Sequence, residues 1–219
     1  MLSLLGSNPL LFLTYIIALF LAITIHEYSH AKVADYLGDP TPRLQGRLSF
    51  NPLVHLDPIG VLLLLLVGFG WGKPVVFDPF NLKDPRRDAA LISIAGPGSN
   101  IILALLLSLL LRLLTIFDQS ILSTIGITVV VPIIVLNVVL GIFNLLPIAP
   151  LDGFKIVGGF LSQERAQEWY QLERYGILFI LLLLIPINGS SLLSSIIKPA
   201  IDFVLTLLLP SNLVGGGII

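Results

Sequence analysis

The sequence predicts an all-α, multi-pass membrane protein, a helical bundle of about five to six hydrophobic segments with short β-strand or re-entrant loops near the cytoplasmic side. Three observations carry this. Hydrophobic residues make up 56% of the 219 positions and charged residues only 11%, whereas soluble domains carry roughly 25% charged residues. Mean hydropathy is +0.99. Several apolar runs approach the roughly 20 residues that cross a bilayer as helix. No internal repeat and no soluble domain is visible, so residues 1–219 are expected to form one integral-membrane domain. Its core would cover about 10–160, with further apolar segments between 175 and 209.

The first segment begins at Pro9, in a position where a helix can start, and runs without a break to Leu37-Gly38, where Gly38 and Pro40 end it. Asn8 to Ile25 lacks a preceding basic region and continues into His26, Glu27 and His30 instead of a small-residue cleavage site. It therefore reads as an inserted helix and not as a removable leader. From Asp39 to Pro58 the punctuation by Pro40, Pro42, Gly46, Pro52 and Pro58 predicts turns and short strands, for example at Arg47–Phe50. Ile59 to Phe69 is too short to cross and predicts a re-entrant or interfacial segment. Gly70 to Pro85 again reads as loop and short strand.

A third segment spans about Arg87 to Phe117 and contains Gly96-Pro97-Gly98, a helix break that polar neighbours such as Asn100 can satisfy. A fourth runs from about Ile121 to Leu146, ending at Pro147, Pro150 and Leu151-Asp152-Gly153. Gln163 to Glu173 reads as a solvated helix. Tyr175–Ile187 and Leu192–Leu209 are two more apolar segments, the second carrying Lys198 and Asp202 at pairing distance along a helix. The Gly215–Gly217 tail reads as disordered.

Basic residues set the orientation. Arg43, Arg47, Lys73, Lys83, Arg86 and Arg87 lie between the first and third segments, and Lys155, Arg165 and Arg174 follow the fourth. The connection around Asp118 to Thr124 has none. Under the positive-inside rule, 38–88 and 153–174 face the cytoplasm. A prokaryotic cell membrane with the site towards its cytoplasmic side is the expected location. The net charge of −1 argues neither for nor against a polyanionic partner; no nucleic-acid partner is expected, and the lipid bilayer is. With no cysteine in the chain, a metal must be held by His, Asp or Glu.

His26-Glu27-Tyr28-Ser29-His30 supplies such a set. Two histidines four residues apart on a helix project from one face and can grip one zinc ion, while Glu27 between them is placed to act as general base. Ionisable groups inside a transmembrane helix are costly and mark function; here two of the chain's three histidines and a glutamate fall within five residues. Catalytic zinc usually has three protein ligands. Asp152 is the candidate for the third, because the fourth segment ends on the side where the first places its histidines, and Gly153 permits unusual backbone geometry. Its simpler reading is a cap of the turn before Lys155. His55, the third histidine, is a weaker competitor in a Pro-rich loop.

HEYSHA (26–31), AGPGSN (95–100) and FNLLPIAPLDG (143–153), in this order on hydrophobic segments, resemble the site-2 protease family of intramembrane metalloproteases. The resemblance is closest to its small members without PDZ or CBS domains, whose pattern is also similar to GDPTPRLQGRLSFNPLVHLDPIG (38–60) and GWGKPVVFDP (71–80). It implies one Zn2+ per chain on His26, His30 and Asp152, with Glu27 as the catalytic base. Asn144, in the FNLLP stretch, would then donate to the reaction's oxyanion, against a simpler reading as a helix–helix hydrogen bond. The implied activity is hydrolysis of peptide bonds in or near transmembrane segments of a membrane-protein substrate. Ala149-Pro150 stands where the family usually has Asn-Pro or Pro-Pro. Asn100 and Asn137 read as inter-helix hydrogen bonds, and Trp71 and Phe77 as interfacial residues. Either Gly46–Asn51 or Lys73–Phe77 could offer an edge for an unwound substrate. The rival readings are an inactive membrane scaffold, or a metal-ion or proton transporter; the missing internal repeat counts against the second. A respiratory coupling subunit would leave the HExxH pattern accidental.

Overall fold

The computed structural model of the protein describes residues 2–67, 70–117, 126, 128–187 and 190–210. It is predominantly helical. In chain order the helices are α1 (Leu2–Ser7), α2 (Pro9–Tyr36), α3 (Thr41–Leu44), α4 (Pro58–Val67), α5 (Pro85–Phe117), α6 (Val131–Asn144), α7 (Asp152–Phe160), α8 (Gln163–Tyr170), α9 (Gly176–Leu184) and α10 (Leu192–Leu208). Pro186–Ile187 and Ser190–Ser191 pair as a minimal antiparallel hairpin between α9 and α10.

The local chemistry explains the boundaries. Asn8 caps α2 by accepting from the Leu11 N–H at 3.0 Å, and Pro9 opens the helix where its missing N–H costs nothing. Gly38, at φ 111°, turns the chain after α2. Among the described residues, α2 and α5 are the two helices long and apolar enough to cross a membrane. The stripe Ala18, Ala22, His26, His30 and Ala34, at i+4 intervals on α2, is buried throughout. Its small members let α5 approach closely, as small residues do between membrane helices.

The helix through Gly96-Pro97-Gly98 is continuous, so the expected break is absent, and Asn100 is spent between helices instead of on freed backbone groups. The start of the fourth segment and the glycine tail lie outside the described residues; its described part ends at Asn144. Ala104 and Leu111 of α5, Val131, Ile134 and Val138 of α6, and Leu205, Leu208 and Leu209 at the end of α10 form the largest apolar cluster. There Ser108 donates to the Leu208 carbonyl, and Arg112 to Leu207 at 2.8 Å and Leu208 at 3.2 Å, so side chains of α5 close the C-terminal end of α10. Lys198 and Asp202 make the expected exposed pair at 3.1 Å.

The predicted strands at Arg47–Phe50 and Lys73–Phe77 do not form. Pairing in this region consists of one antiparallel bridge, Leu56 with Gly72, and the Lys73 N–H on the His55 carbonyl at 2.8 Å. Side chains take several of the other backbone groups there: Arg47 the Lys73 and Pro74 carbonyls, Glu27 the Val75 N–H, Asp39 the Asp78 N–H and His55 the Ser49 carbonyl. These contacts nevertheless bring the chain back beside the start of α4 after it leaves Val67. Helix α4 has 10 residues, about 15 Å, short of a bilayer. Asp39, wholly buried, ties the same layer to the end of α2: it accepts from Thr41, from the Asn81 amide at 2.8 Å and from the Asp78 N–H at 2.8 Å. Burial pushes its pKa up, but these hydrogen bonds outweigh that and hold it below the usual carboxylate value.

Candidate metal centre

Three elements build the site. Helix α2 carries His26 and His30 on its buried stripe. Helix α7 begins at Asp152, and it can start there because Gly153 has no side chain: a Cβ at that position would lie 2.2 Å from the Leu145 carbonyl oxygen. Gly153 thus serves close packing of α7 on the end of α6, within ordinary helical geometry, and not the unusual backbone the sequence suggested. Helix α5 supplies the wall. A Cβ on Gly96 would sit 2.4 Å from His30 Nε2 and 2.8 Å from His26 Cε1.

The donor atoms converge. His26 Nε2 and His30 Nε2 lie 3.0 Å apart, and Asp152 Oδ2 lies 3.1 Å from the first and 3.2 Å from the second. Their protonation follows from what holds the opposite ring nitrogens. Asn100 commits its amide nitrogen to the Ala22 carbonyl at 3.0 Å and to Asn137 Oδ1 at 2.8 Å. Its Oδ1 is thereby left to accept from His26 Nδ1 at 2.7 Å. The Ile92 carbonyl, which can only accept, takes the His30 Nδ1–H at 2.7 Å. In the neutral rings both Nε2 atoms therefore present lone pairs towards the Asp152 carboxylate, whose buried Oδ2 has no hydrogen-bond donor.

Three lone-pair atoms this close repel one another unless a cation sits among them. Tetrahedral coordination at zinc–ligand distances of 2.0–2.1 Å separates donors by about 3.3 Å, close to the observed edges. Two imidazoles and a carboxylate also form a donor set that suits zinc. His26, His30 and Asp152 are thus a possible metal site, and the residues present fit the ion.

Glu27 points elsewhere on the same turn: its Oε2 accepts the Val75 N–H at 2.9 Å, and its Oε1 faces Gly72, 3.9 Å from where a Cβ there would stand. Asn144 closes α6 and donates its amide to the Leu140 carbonyl at 3.0 Å, so in this conformation it is not directed at the triad. His55 is wholly buried, with Nε2 on the Ser49 carbonyl at 2.8 Å, and does not join the donor set.

Sequence reasoning misread Gly96 as part of a helix break; it read Asn100 correctly as a helix–helix bond but not that one of its partners is His26. The available signal was their i, i+4 spacing on one face of α5, facing the stripe that carries the histidines. Outer hydrogen bonds of this kind orient a metal-bound imidazole. Replacing Asn100 with Ala should lower zinc affinity about 10- to 100-fold, measured by competition with a chelator; unchanged affinity would show that the Asn100 bond does not orient His26.

Comparison with known proteins gives the family. A family model described as "Peptidase family M50" matches residues 110–185, the stretch that contains Asp152. The chain is 39% identical over 203 residues to the "Putative zinc metalloprotease YwhC" of Bacillus subtilis, covering 91% of this chain and 93% of that one. The chain belongs to peptidase family M50. Further members similar to it include Rip2 of Mycolicibacterium smegmatis, of like designation, at 28% identity over 80% of this chain and 67% of that one. The "Zinc metalloprotease MJ0392" of Methanocaldococcus jannaschii is 28% identical over 72% of this chain but 37% of its own length. No solved structure matches the chain significantly. As an M50 member the protein is a zinc metalloprotease by class, and two of its described helices are long and apolar enough to cross a membrane.

Proposed function

We propose that this M50 protein is an intramembrane zinc metalloendopeptidase that cuts membrane-protein substrates in or near their transmembrane segments, as regulated intramembrane proteolysis requires. The supporting observation is the convergence of three possible ligand atoms, two of them on a helix long enough to cross a bilayer. In this reading one zinc ion per chain is held by His26, His30 and Asp152. The chain forms one multi-pass domain in a prokaryotic cell membrane, α4 is re-entrant, and the site opens towards the cytoplasm.

A zinc ion bound there would acidify a water and polarise the scissile carbonyl. Glu27 does the proton work. The Val75 N–H steadies one carboxylate oxygen, leaving Oε1 to accept the proton of the attacking water and to pass it to the departing amine. Asn144, turned away from Leu140, would donate to the carbonyl oxygen as it gains charge.

A substrate helix must also be held unwound. Within the segment 73–78 no hydrogen bond holds the N–H or C=O of Val76 or of Phe77 among the described residues, and of the two Val76 is the exposed one, at 56%, while the Phe77 ring is packed inward. Val76 is the best-supported edge for an added strand. Val76→Pro should slow cleavage about tenfold, the scale of one or two backbone hydrogen bonds, with zinc content unchanged; full turnover would remove the edge from the account.

The activity itself is tested by reconstituting the purified protein in liposomes with single-span membrane substrates. Cleavage should stop on zinc chelation and return with added zinc. Metal-dependent ion flux without any cleavage would favour the transporter instead.

A further inference from the structure

Arg47 is a buried cation without an anion. It is 5% exposed, and among the described residues no carboxylate pairs with it. Its guanidinium donates instead to three carbonyls: Val54 in its own loop, and Lys73 and Pro74 at 3.2 Å each in the segment that returns from α4. Burying an unpaired charge is costly, and a loop staple alone could be made from neutral groups. What the planar fork adds is a fixed orientation of two consecutive peptide units.

The next peptide N–H is the one that matters. Val75 follows Pro74 directly and donates to Glu27 Oε2 at 2.9 Å. The far end of the segment is fixed separately: Phe77 packs against Ala34, Leu82 and Ile92 with the Lys155 ammonium 4.9 Å from its ring centroid, and the Asp78 N–H is held by Asp39. On the near side, Arg47 and the Lys73–His55 bond are the restraints that aim the Val75 amide.

We propose that Arg47 is a positioning residue for peptide hydrolysis: by gripping the carbonyls of Lys73 and Pro74 it aims the Val75 N–H at Glu27 and sets which carboxylate oxygen is left for the attacking water. This rests on the reading of Glu27 as the base. Arg47 contacts none of the three metal donors, so its removal leaves the metal in place and falls chiefly on the chemical step.

The test uses the full-length protein in liposomes with one cleavable membrane substrate. Arg47→Gln should lower kcat about 10- to 100-fold, the range seen when supporting hydrogen bonds are lost, with zinc content within about twofold of the native protein and any rise in KM smaller than the loss in kcat. Amide hydrogen exchange at Val75 should accelerate at least about tenfold. Val75→Pro, which deletes the donor but leaves Arg47 intact, should reproduce the loss in kcat. Should Arg47→Gln not fold, Arg47→Lys, which keeps the charge without the fork, takes its place. A native kcat in either the Arg47 variant or Val75→Pro overturns the proposal, as does a defect in KM alone or a Val75 amide that exchanges at the native rate. Glu27→Gln serves as the separating control. If it is inactive while the Arg47 variant and Val75→Pro are both active, this inference fails alone; if it is fully active, the reading of the base fails.

Discussion

Replacing Glu27 by glutamine is expected to abolish peptide hydrolysis while the protein keeps its metal. Glutamine is nearly the same size, and its side-chain oxygen can still accept the Val75 N–H that Glu27 accepts at 2.9 Å. The three donor atoms of the metal centre are on other residues. What the substitution removes is the ability to take a proton from water and return it to the leaving nitrogen. General acid–base groups contribute about 10²- to 10⁴-fold, so the rate should fall by about a thousandfold or more. The check is a paired measurement of cleavage rate and zinc per chain on one preparation. A variant that cleaves at the native rate would falsify the proposed role of Glu27.

The second large effect comes from the smallest side chain at the site. Gly96→Ala would place a methyl carbon 2.4 Å from His30 Nε2 and 2.8 Å from His26 Cε1, well inside van der Waals contact. The rings are pinned from behind by the Asn100 amide and the Ile92 carbonyl, so they cannot retreat without losing those bonds. Either α5 moves away from α2 or the imidazoles rotate out of register with Asp152. Both break the donor triangle. Zinc occupancy and activity should fall together by at least about tenfold, whereas α2 and α5 should still insert, because a buried alanine suits a membrane helix. Metal analysis beside a protease-protection assay of insertion separates the two outcomes. An alanine variant with full zinc content would mean that α5 does not wall the site as described.

How much of this was legible in the sequence depended on the range of each interaction. The pairing of His26 with His30 follows from helical geometry alone, four residues on one face. Asp152 was reachable because two charge-based arguments put the ends of the first and fourth segments on one side. The tautomers were not legible. They depend on Asn100, 74 residues from His26, and on the Ile92 carbonyl, partners that only the packing of α5 on α2 reveals. Gly96-Pro97-Gly98 reads as helix-breaking because propensity describes an isolated chain, while here tertiary contacts hold one continuous helix. Arg47 was counted for its charge in orienting the chain, and nothing local signals that its guanidinium is turned inward. The strands expected near it failed for a related reason: side chains of Arg47, Glu27 and Asp39 occupy several of the backbone groups a ladder within this chain would need.

The most direct test is zinc-edge X-ray absorption on the purified protein and on Asp152→Ala. The native spectrum should show two imidazole nitrogens and a carboxylate oxygen at about 2.0–2.1 Å. In Asp152→Ala the zinc should be lost or its carboxylate contribution should disappear. A native first shell without paired imidazoles, or an identical zinc environment after the aspartate is removed, would contradict a metal held jointly by α2 and α7.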